Sequence, residues 1–373
     1  MKFIFFILLI ISFSCQQQET RRQSFKNKIK VVKSVNISLD SLTPQHLFNP
    51  QLVKNKYLVF LNSKANSLDI YSFERKKLSE RIKFLNEGEE GIGKVYQFLY
   101  HNDDSIFVVN SYQYKVFLID KTGKVKEKYS LIKQKKHSAI TAMPEIFPFH
   151  HPIVLINNQL HITSSPDDNP YKDSFFEREA LSIVLNLETK DFHYEMSFPE
   201  LYRKKYFTTS VNFHSRVFLV NENRFIYSFF ADQHIYKIDL AYKILEEKKL
   251  QSPNFTEIPA LKKRLQSSQE NTKIANQSPA YINIYYNPYK REFYRMIDIP
   301  IAKESKEQRY SKGFLGIFNQ SFENIGEVLL FETNQLNNYN TMNLFFTSEG
   351  MWIQRFTDNE DELVYDLVEF VAE

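Results

Sequence analysis

The sequence predicts an all-β fold, a six-bladed β-propeller of four-stranded antiparallel blades with its ring closed by an N-terminal strand. Three observations predict it. The chain has 373 residues with 34 Phe and 22 Tyr but only 8 Gly, a composition that favours strands over helices. A unit recurs along it: an Asn-rich polar turn, a short apolar run, a gap, a second apolar run, a turn and a charged strand. The turns at 55, 102, 157 and 221 give spacings of 47, 55 and 64 residues, and multi-strand repeats of about 50 residues mark a propeller.

The N-terminus is a leader. Met1-Lys2 is followed by an apolar run from Phe3 to Ile11, then Ser12-Phe13-Ser14-Cys15. One positive charge, an apolar core and small residues before a break make a secretory signal peptide. The run is too short for a bilayer-spanning helix, which needs about 20 apolar residues. The small-x-small-Cys ending resembles the lipobox of bacterial lipoproteins, which implies that residues 1–14 are removed and that Cys15 is lipidated. The alternative is an ordinary signal peptide with an incidental cysteine. Cys15 is the only cysteine, so no disulfide or thiolate-rich metal site is expected.

Residues 15–28 are polar and aperiodic and read as a flexible tether. Residues 29–373 form the propeller domain. Its first segment, Val31 to Leu39, precedes the first unit and has no partner of its own. The clearest unit runs from Asn102 through SIFVVN and KVFLID to VKEKYSL. An earlier copy holds YLVFLN and SLDIYSF; later ones hold QLHITS with LSIVLNL, RFIYSFF with HIYKIDL, FYRMI with GFLGIF, and GMWIQRF with ELVYDLVEF. Innermost strands are expected at Val95–Tyr100, Pro148–Ile153, Phe207–Phe213 and Tyr281–Tyr286. The sixth copy lacks an outer strand, so Val31 to Leu39 is expected to pair near Glu362 to Phe370, since closure removes exposed edges. An insertion at 246–278 is rich in Lys, Gln and Ser; Ile258, Leu261 and Leu265 share the spacing of one helix face over Ala260–Gln269.

The stretch from Phe84 to Asn110 carries a more specific signal. Glu87-Gly88, Gly91-Ile92-Gly93 and Asp104-Ser105-Ile106-Phe107 resemble a motif of six-bladed propeller lipoproteins of the Bacteroidota envelope, with Glu89 where proline is commoner. Asn287 to Ile301 is similar to a second motif, an aromatic-Tyr-Arg after a polar turn. The chain thus resembles the DUF4221 family, a domain of unknown function. The resemblance implies a propeller and an outer-membrane lipoprotein but no chemistry, because the family has no assigned activity.

The residues themselves offer few catalytic patterns. GEEGIG lacks the strand-then-helix context of a phosphate loop and reads as a turn that needs glycine's positive φ. Asp167-Asp168-Asn169 and Asp358 to Asp361 lack the ligand alternation of a calcium loop and read as solvated turns. His150-His151 are expected on an innermost strand, one facing the channel and one the blade. With His161 and His214 they invite a metal reading, but a fixed ligand geometry is not evident and no metal or other cofactor is expected. Tyr294-Arg295 offers a paired donor beside an aromatic face for an acidic partner, or else an arginine that ties blades together through backbone carbonyls. Trp352 is expected between blades.

A net charge of +4 without a basic stripe excludes nucleic acid as the partner. The expected function is that of a monomeric, lipid-anchored cell-envelope protein, attached to the membrane through Cys15. It would be a non-catalytic binding module or scaffold for a protein or glycan, with His150, His151, Tyr294 and Arg295 at the funnel. The alternative is a propeller enzyme, a hydrolase or lyase of carbohydrate that uses channel-facing His and carboxylates.

Overall fold

The computed structural model describes residues 26–47, 49–132, 142–147, 149–254, 257–274, 277–301, 311–332 and 339–372. Residues 1–14, read as a leader, and Cys15 lie outside the described residues. The chain is all-β and propeller-like, built from four-stranded antiparallel sheets taken in sequence order.

The first sheet holds β2 (Gln51–Val53), β3 (Tyr57–Asn62), β4 (Ser67–Ser72) and β5 (Lys77–Lys83). The second holds β6 (Gln97–Asn102), β7 (Ser105–Asn110), β8 (Lys115–Ile119) and β9 (Val125–Ser130). The third pairs β10 (Ala142–Pro144) and β11 (Val154–Ile156) with opposite ends of β12 (Gln159–Pro166), followed by β13 (Ser182–Asn186) and β14 (Phe192–Glu195). Next come β15 (His214–Leu219), β16 (Arg224–Phe229), β17 (His234–Ile238) and β18 (Ile244–Lys249). These are followed by β19 (Ala280–Asn287), β20 (Glu292–Pro300), β21 (Ser311–Phe318) and β22 (Asn324–Glu332). The C-terminal strands are β23 (Tyr339–Thr347), β24 (Gly350–Arg355) and β25 (Glu362–Ala372), and β1 (Lys26–Ser38) lies against β25.

Burial explains the alternation of apolar and charged runs. The middle strands lie between neighbouring sheets and are covered on both faces: all six residues of β4 are buried. Fourth strands face water, and β18, ILEEKK, is almost wholly exposed. Asparagine sets the tight hairpins. Between β11 and β12 the loop is Asn157-Asn158, both with positive φ (47° and 60°), the backbone of a turn whose twist matches paired strands. At GEEGIG the chain turns as expected. Gly93 has φ +69°, and a Cβ there would lie 2.6 Å from Asn110 Nδ2, an atom that donates to Ile92 O (2.8 Å).

The core is divided between adjacent sheets. Ile70, Ile82, Ile106 and Phe117 pack the first against the second, and Tyr294, Leu315, Leu344 and Ile353 pack β20 and β21 against β23 and β24. Trp352, fully buried, joins Phe345 and Tyr365 to Leu58, Phe60 and Tyr71 of the first sheet. Burying such a side chain stabilises by about 2–3 kcal/mol.

Four expectations about elements need correction. Residues 26–28, read as tether, already belong to β1. The stretch from Phe207 to Phe213 is a single 3₁₀ turn at Thr209–Val211, and the inner strand follows it as β15. The helix of the insertion spans Ser268–Ile274, not Ala260–Gln269. Ile258 and Leu265 are buried in separate extended stretches, and Leu261 makes a lone bridge to Tyr206, so burial rather than helical period spaces them. Finally, 149–153 is not a strand. The first strand of the third sheet is split into β10 and β11, and the residues between them leave the sheet. Pro144 and Pro152 have no N–H to give a ladder.

Candidate functional site

The segment expelled from the third sheet walls a cavity of about 520 Å³. The other walls are Asn49 to Leu52 at β2, Leu61 and Ser63 at the end of β3, and Lys94 to Leu99 at β6. It lies where the first strands of three consecutive sheets meet.

Side-chain amides set this geometry. Gln51 Nε2 donates to Tyr100 O (2.8 Å) and Gln51 Oε1 accepts from Tyr100 N (2.8 Å), so one side chain joins β2 to β6 as a strand would. Gln97 Nε2 donates to Glu145 O (3.0 Å) and Thr163 O (3.1 Å), joining β6 to the third sheet. Asn49 Nδ2 donates to Phe149 O (2.7 Å). His150 is tied by its backbone: its N–H donates to Asn283 Oδ1 (3.0 Å) and its carbonyl accepts from Arg216 N (3.1 Å). The irregular backbone of this segment is thus satisfied by amides from distant sheets.

The walls combine aromatic surface with polar atoms. Phe147, 47 % exposed, stacks on Phe149 and packs edge-on to Phe213. Tyr96 packs edge-on to Tyr112, with Lys94 Nζ 5.4 Å from the Tyr96 ring centre. The His150 ring lies 4.6 Å from that of Tyr285 and the His151 ring 5.2 Å from that of His214. Both ring nitrogens of His151, and Gln97 Oε1, are buried without a hydrogen-bond partner. Burial lowers the pKa of His150 to about 4 and that of His214 to about 3. Burial first, then the nearness of the His214 ring and the Arg216 charge, holds His151 well below the ordinary value. All three imidazoles are neutral at pH 7, each able to donate once and accept once. Among the described residues no group of three His, Cys, Asp or Glu stands ready for a metal, and His161 lies apart, hydrogen-bonded to Tyr242 OH (3.0 Å).

The structure brings His150 and His151 to this cavity and places Tyr294 and Arg295 elsewhere. Tyr294 is buried against Phe346 and Phe370, its hydroxyl donating to Glu292 (2.5 Å). Arg295, also fully buried, points the other way along β20, with its guanidinium 3.8 Å from the centre of the Tyr281 ring. Its donors are consumed by the neighbouring sheet: Nη1 bonds to Gln233 O (2.9 Å) and Leu250 O (3.0 Å), Nη2 to Asp232 O (2.5 Å), Nε to Ser228 Oγ (3.0 Å). Two residues that face opposite sides of one strand cannot form a shared site with the histidines, and of the two readings weighed for Arg295 the geometry is that of the tie between sheets. Arg216 does the same in the preceding sheet, bonding to Ser182 Oγ, Tyr227 OH and His161 O. Sequence reasoning missed Gln97, Tyr96 and Phe147. The first two fall at the expected inner strand Val95–Tyr100, and a pattern that counts only charged or catalytic residue types passes over them.

The fold and the cavity define an all-β, propeller-like protein with an aromatic, amide-lined recess where its first strands converge. Its family follows from comparison. A family model described as "Domain of unknown function (DUF4221)" matches residues 28–329, and the chain belongs to that family. The crystal structure of a DUF4221 member from Bacteroides vulgatus superposes with a TM-score of 0.80 at 19 % identity, covering 94 % of this chain and 100 % of that one. A putative exported protein from Bacteroides fragilis superposes with a TM-score of 0.54 at 11 % identity, covering 93 % and 99 %. No curated protein matches the sequence.

Proposed function

We propose that the chain is a six-bladed propeller, closed by β1, that serves in the cell envelope as a non-catalytic binding or scaffold protein for a protein or glycan. Two observations support the ring. The β1–β25 pairing runs from Asn27↔Ala372 to Ser38↔Glu362, and the Trp352 cluster joins the last strands to the first sheet. The binding role rests on the recess: aromatic faces and neutral amide and imidazole groups converge there, and none of its described wall residues is a carboxylate. Sugar cleavage by paired carboxylates needs two such groups about 5–10 Å apart, so the wall favours recognition over hydrolysis. Polar atoms without partners, such as Gln97 Oε1, cost about 1–3 kcal/mol each, which a hydrogen-bonding ligand recovers.

The test is capture from solubilised envelopes together with a glycan array, comparing the wild-type protein with Phe147→Ser and Gln97→Ala. Partner or glycan retention should fall in both variants, while the melting curve of Phe147→Ser holds and that of Gln97→Ala drops with the loss of its bonds to Glu145 O and Thr163 O. Equal retention in all three proteins overturns the site. Attachment through a lipid on Cys15 and an outer-membrane location belong to the same proposal, and the similar fold of a protein described as exported supports an extracytoplasmic place. Cys15→Ala should release the protein from carbonate-washed membranes; full retention refutes the anchor.

A further inference from the structure

A second cavity, of about 540 Å³, shares no wall residue with the first. It lies against the turn between β16 and β17, with Phe198, Phe207 and Ile258 as apolar walls and Asp232, His234 and Tyr236 on the polar side. We propose that this cavity binds an uncharged organic molecule that joins an aromatic body to a hydroxyl, with His234 accepting the hydroxyl's hydrogen bond.

The argument starts from Asp232, whose side chain is 3 % exposed. Its Oδ1 lies 2.9 Å from His234 Nδ1 and accepts from the His234 backbone N–H (2.9 Å), while Oδ2 accepts from Tyr236 OH (2.6 Å). A buried carboxylate can only accept, so Nδ1 carries a proton, and in the neutral tautomer Nε2 is left as a bare acceptor. The ring is 32 % exposed and lines the cavity. Glu247 Oε1 stands 3.6 Å from the same Nδ1 and reinforces that tautomer.

The turn is held rigid. Arg295 donates to the carbonyls of Asp232 and Gln233, with longer contacts to those of Phe229 and His234, so the backbone that carries the pair is fixed from the next sheet. A prepositioned acceptor on a clamped backbone is what recognition of a small ligand requires. Gln233 Oε1, on the cavity wall, is buried without a partner and offers a second acceptor. Each wall carboxylate already faces a partner: Glu257 pairs with Lys205, Glu200 with Lys204 (2.9 Å), and Asp232 and Glu247 face His234 Nδ1, while Arg203 reaches solvent. An uncharged ligand therefore fits better than an ionic one.

The probe pair is para-cresol and its methyl ether, identical in body and differing in the donor. Full-length protein with ¹³C-labelled histidine is titrated with each, and His234 is assigned by the signal lost in His234→Phe. Para-cresol should shift the His234 signal saturably, and the ether should bind roughly tenfold more weakly, the value of one neutral hydrogen bond. In His234→Phe the two probes should bind equally. Absence of a saturable shift with para-cresol, or equal affinities for the two probes in the wild-type protein, overturns the proposal without recourse to any variant. Discrimination that survives His234→Phe overturns it as well.

Discussion

Replacing Arg295 with methionine should lower the melting temperature by about 3–5 °C without any effect at the recess that holds His150 and His151. Methionine keeps some of the stem over Tyr281 but removes every donor. The carbonyls of Leu250 and Asp232, bonded to the guanidinium at 3.0 and 2.5 Å, lose their partner inside the protein, while Gln233 O keeps the Leu250 N–H (2.8 Å). At ~1–2 kcal/mol for each stranded acceptor the loss is about 2–4 kcal/mol. Unfolding entropy of about 2.1 cal/mol/K per residue over 373 residues gives roughly 0.8 kcal/mol/K, hence about 1.3 °C per kcal/mol. Calorimetry reads the shift directly, and Arg295→Lys, which keeps the charge and some donors, should fall between. A change below ~1 °C for the methionine variant would show that the carbonyls find other partners and that the guanidinium is no structural tie. Lost binding at the recess with an unchanged melt would return Arg295 to the ligand role.

Deleting residues 29–40 removes most of β1 and leaves β25 paired with β24 alone, so cooperative unfolding should be abolished; a truncated protein that melts like the full chain refutes closure by this strand. Acid should destabilise the fold well above the carboxylate range. His150, His151, His161 and His214 are all held neutral by burial, with lowered pKa values of about 4 for His150 and about 3 for His161 and His214. Their contribution is complete above about pH 6.5 and falls as pH drops towards 4, because the unfolded chain takes up protons that the folded one refuses. Glu145, raised to about 7 by burial, acts in the opposite sense between pH 7 and about 4.5. Glu195 and Glu327, raised by burial too, act in the same sense as Glu145, but the histidines outnumber them and stability should fall as pH drops from 6.5 to 5; a melting temperature flat over that range would refute it. Gly93→Ala forces a side chain into positive φ and onto Asn110, and should cost about 2 kcal/mol; a denaturation midpoint equal to wild type would show that the turn relaxes freely.

The strands that lie between two sheets were the most legible stretches of the chain. Runs such as SIFVVN and RFIYSFF are apolar because neighbours cover both faces, and the Asn turns before them mark hairpins that need positive φ. Innermost strands were less legible, since they are short and hold their neighbours through amides such as Gln51 and Gln97 rather than through an apolar period. The histidine pair stands out in the sequence, but the strand expected there is absent: residues 149–153 leave the sheet, Pro152 has no N–H to give a ladder, and amides a hundred or more residues away hold the segment. Tyr294-Arg295 showed the limit most clearly. Adjacent residues on a strand face opposite sides, and only the packing reveals that the arginine's partners are carbonyls. Asp232 and His234 gave no signal, because an Asp-x-His in a polar turn looks like any solvated loop until a cavity is seen beside it.

The pairing of β1 with β25 has a consequence for biogenesis. Ile29 meets Phe370, so nearly the first residues of the folded body wait for nearly the last. Contacts at such sequence separation form slowly, and during synthesis β1 remains an unsatisfied edge until the C-terminus emerges. Each sheet in between can assemble locally, while the β1–β25 pairing depends on both ends of the folded body being present in one compartment. A nascent chain cut short by even its last dozen residues would carry a bare strand at its start, and quality control would meet it as an open edge rather than as a shorter version of the same protein.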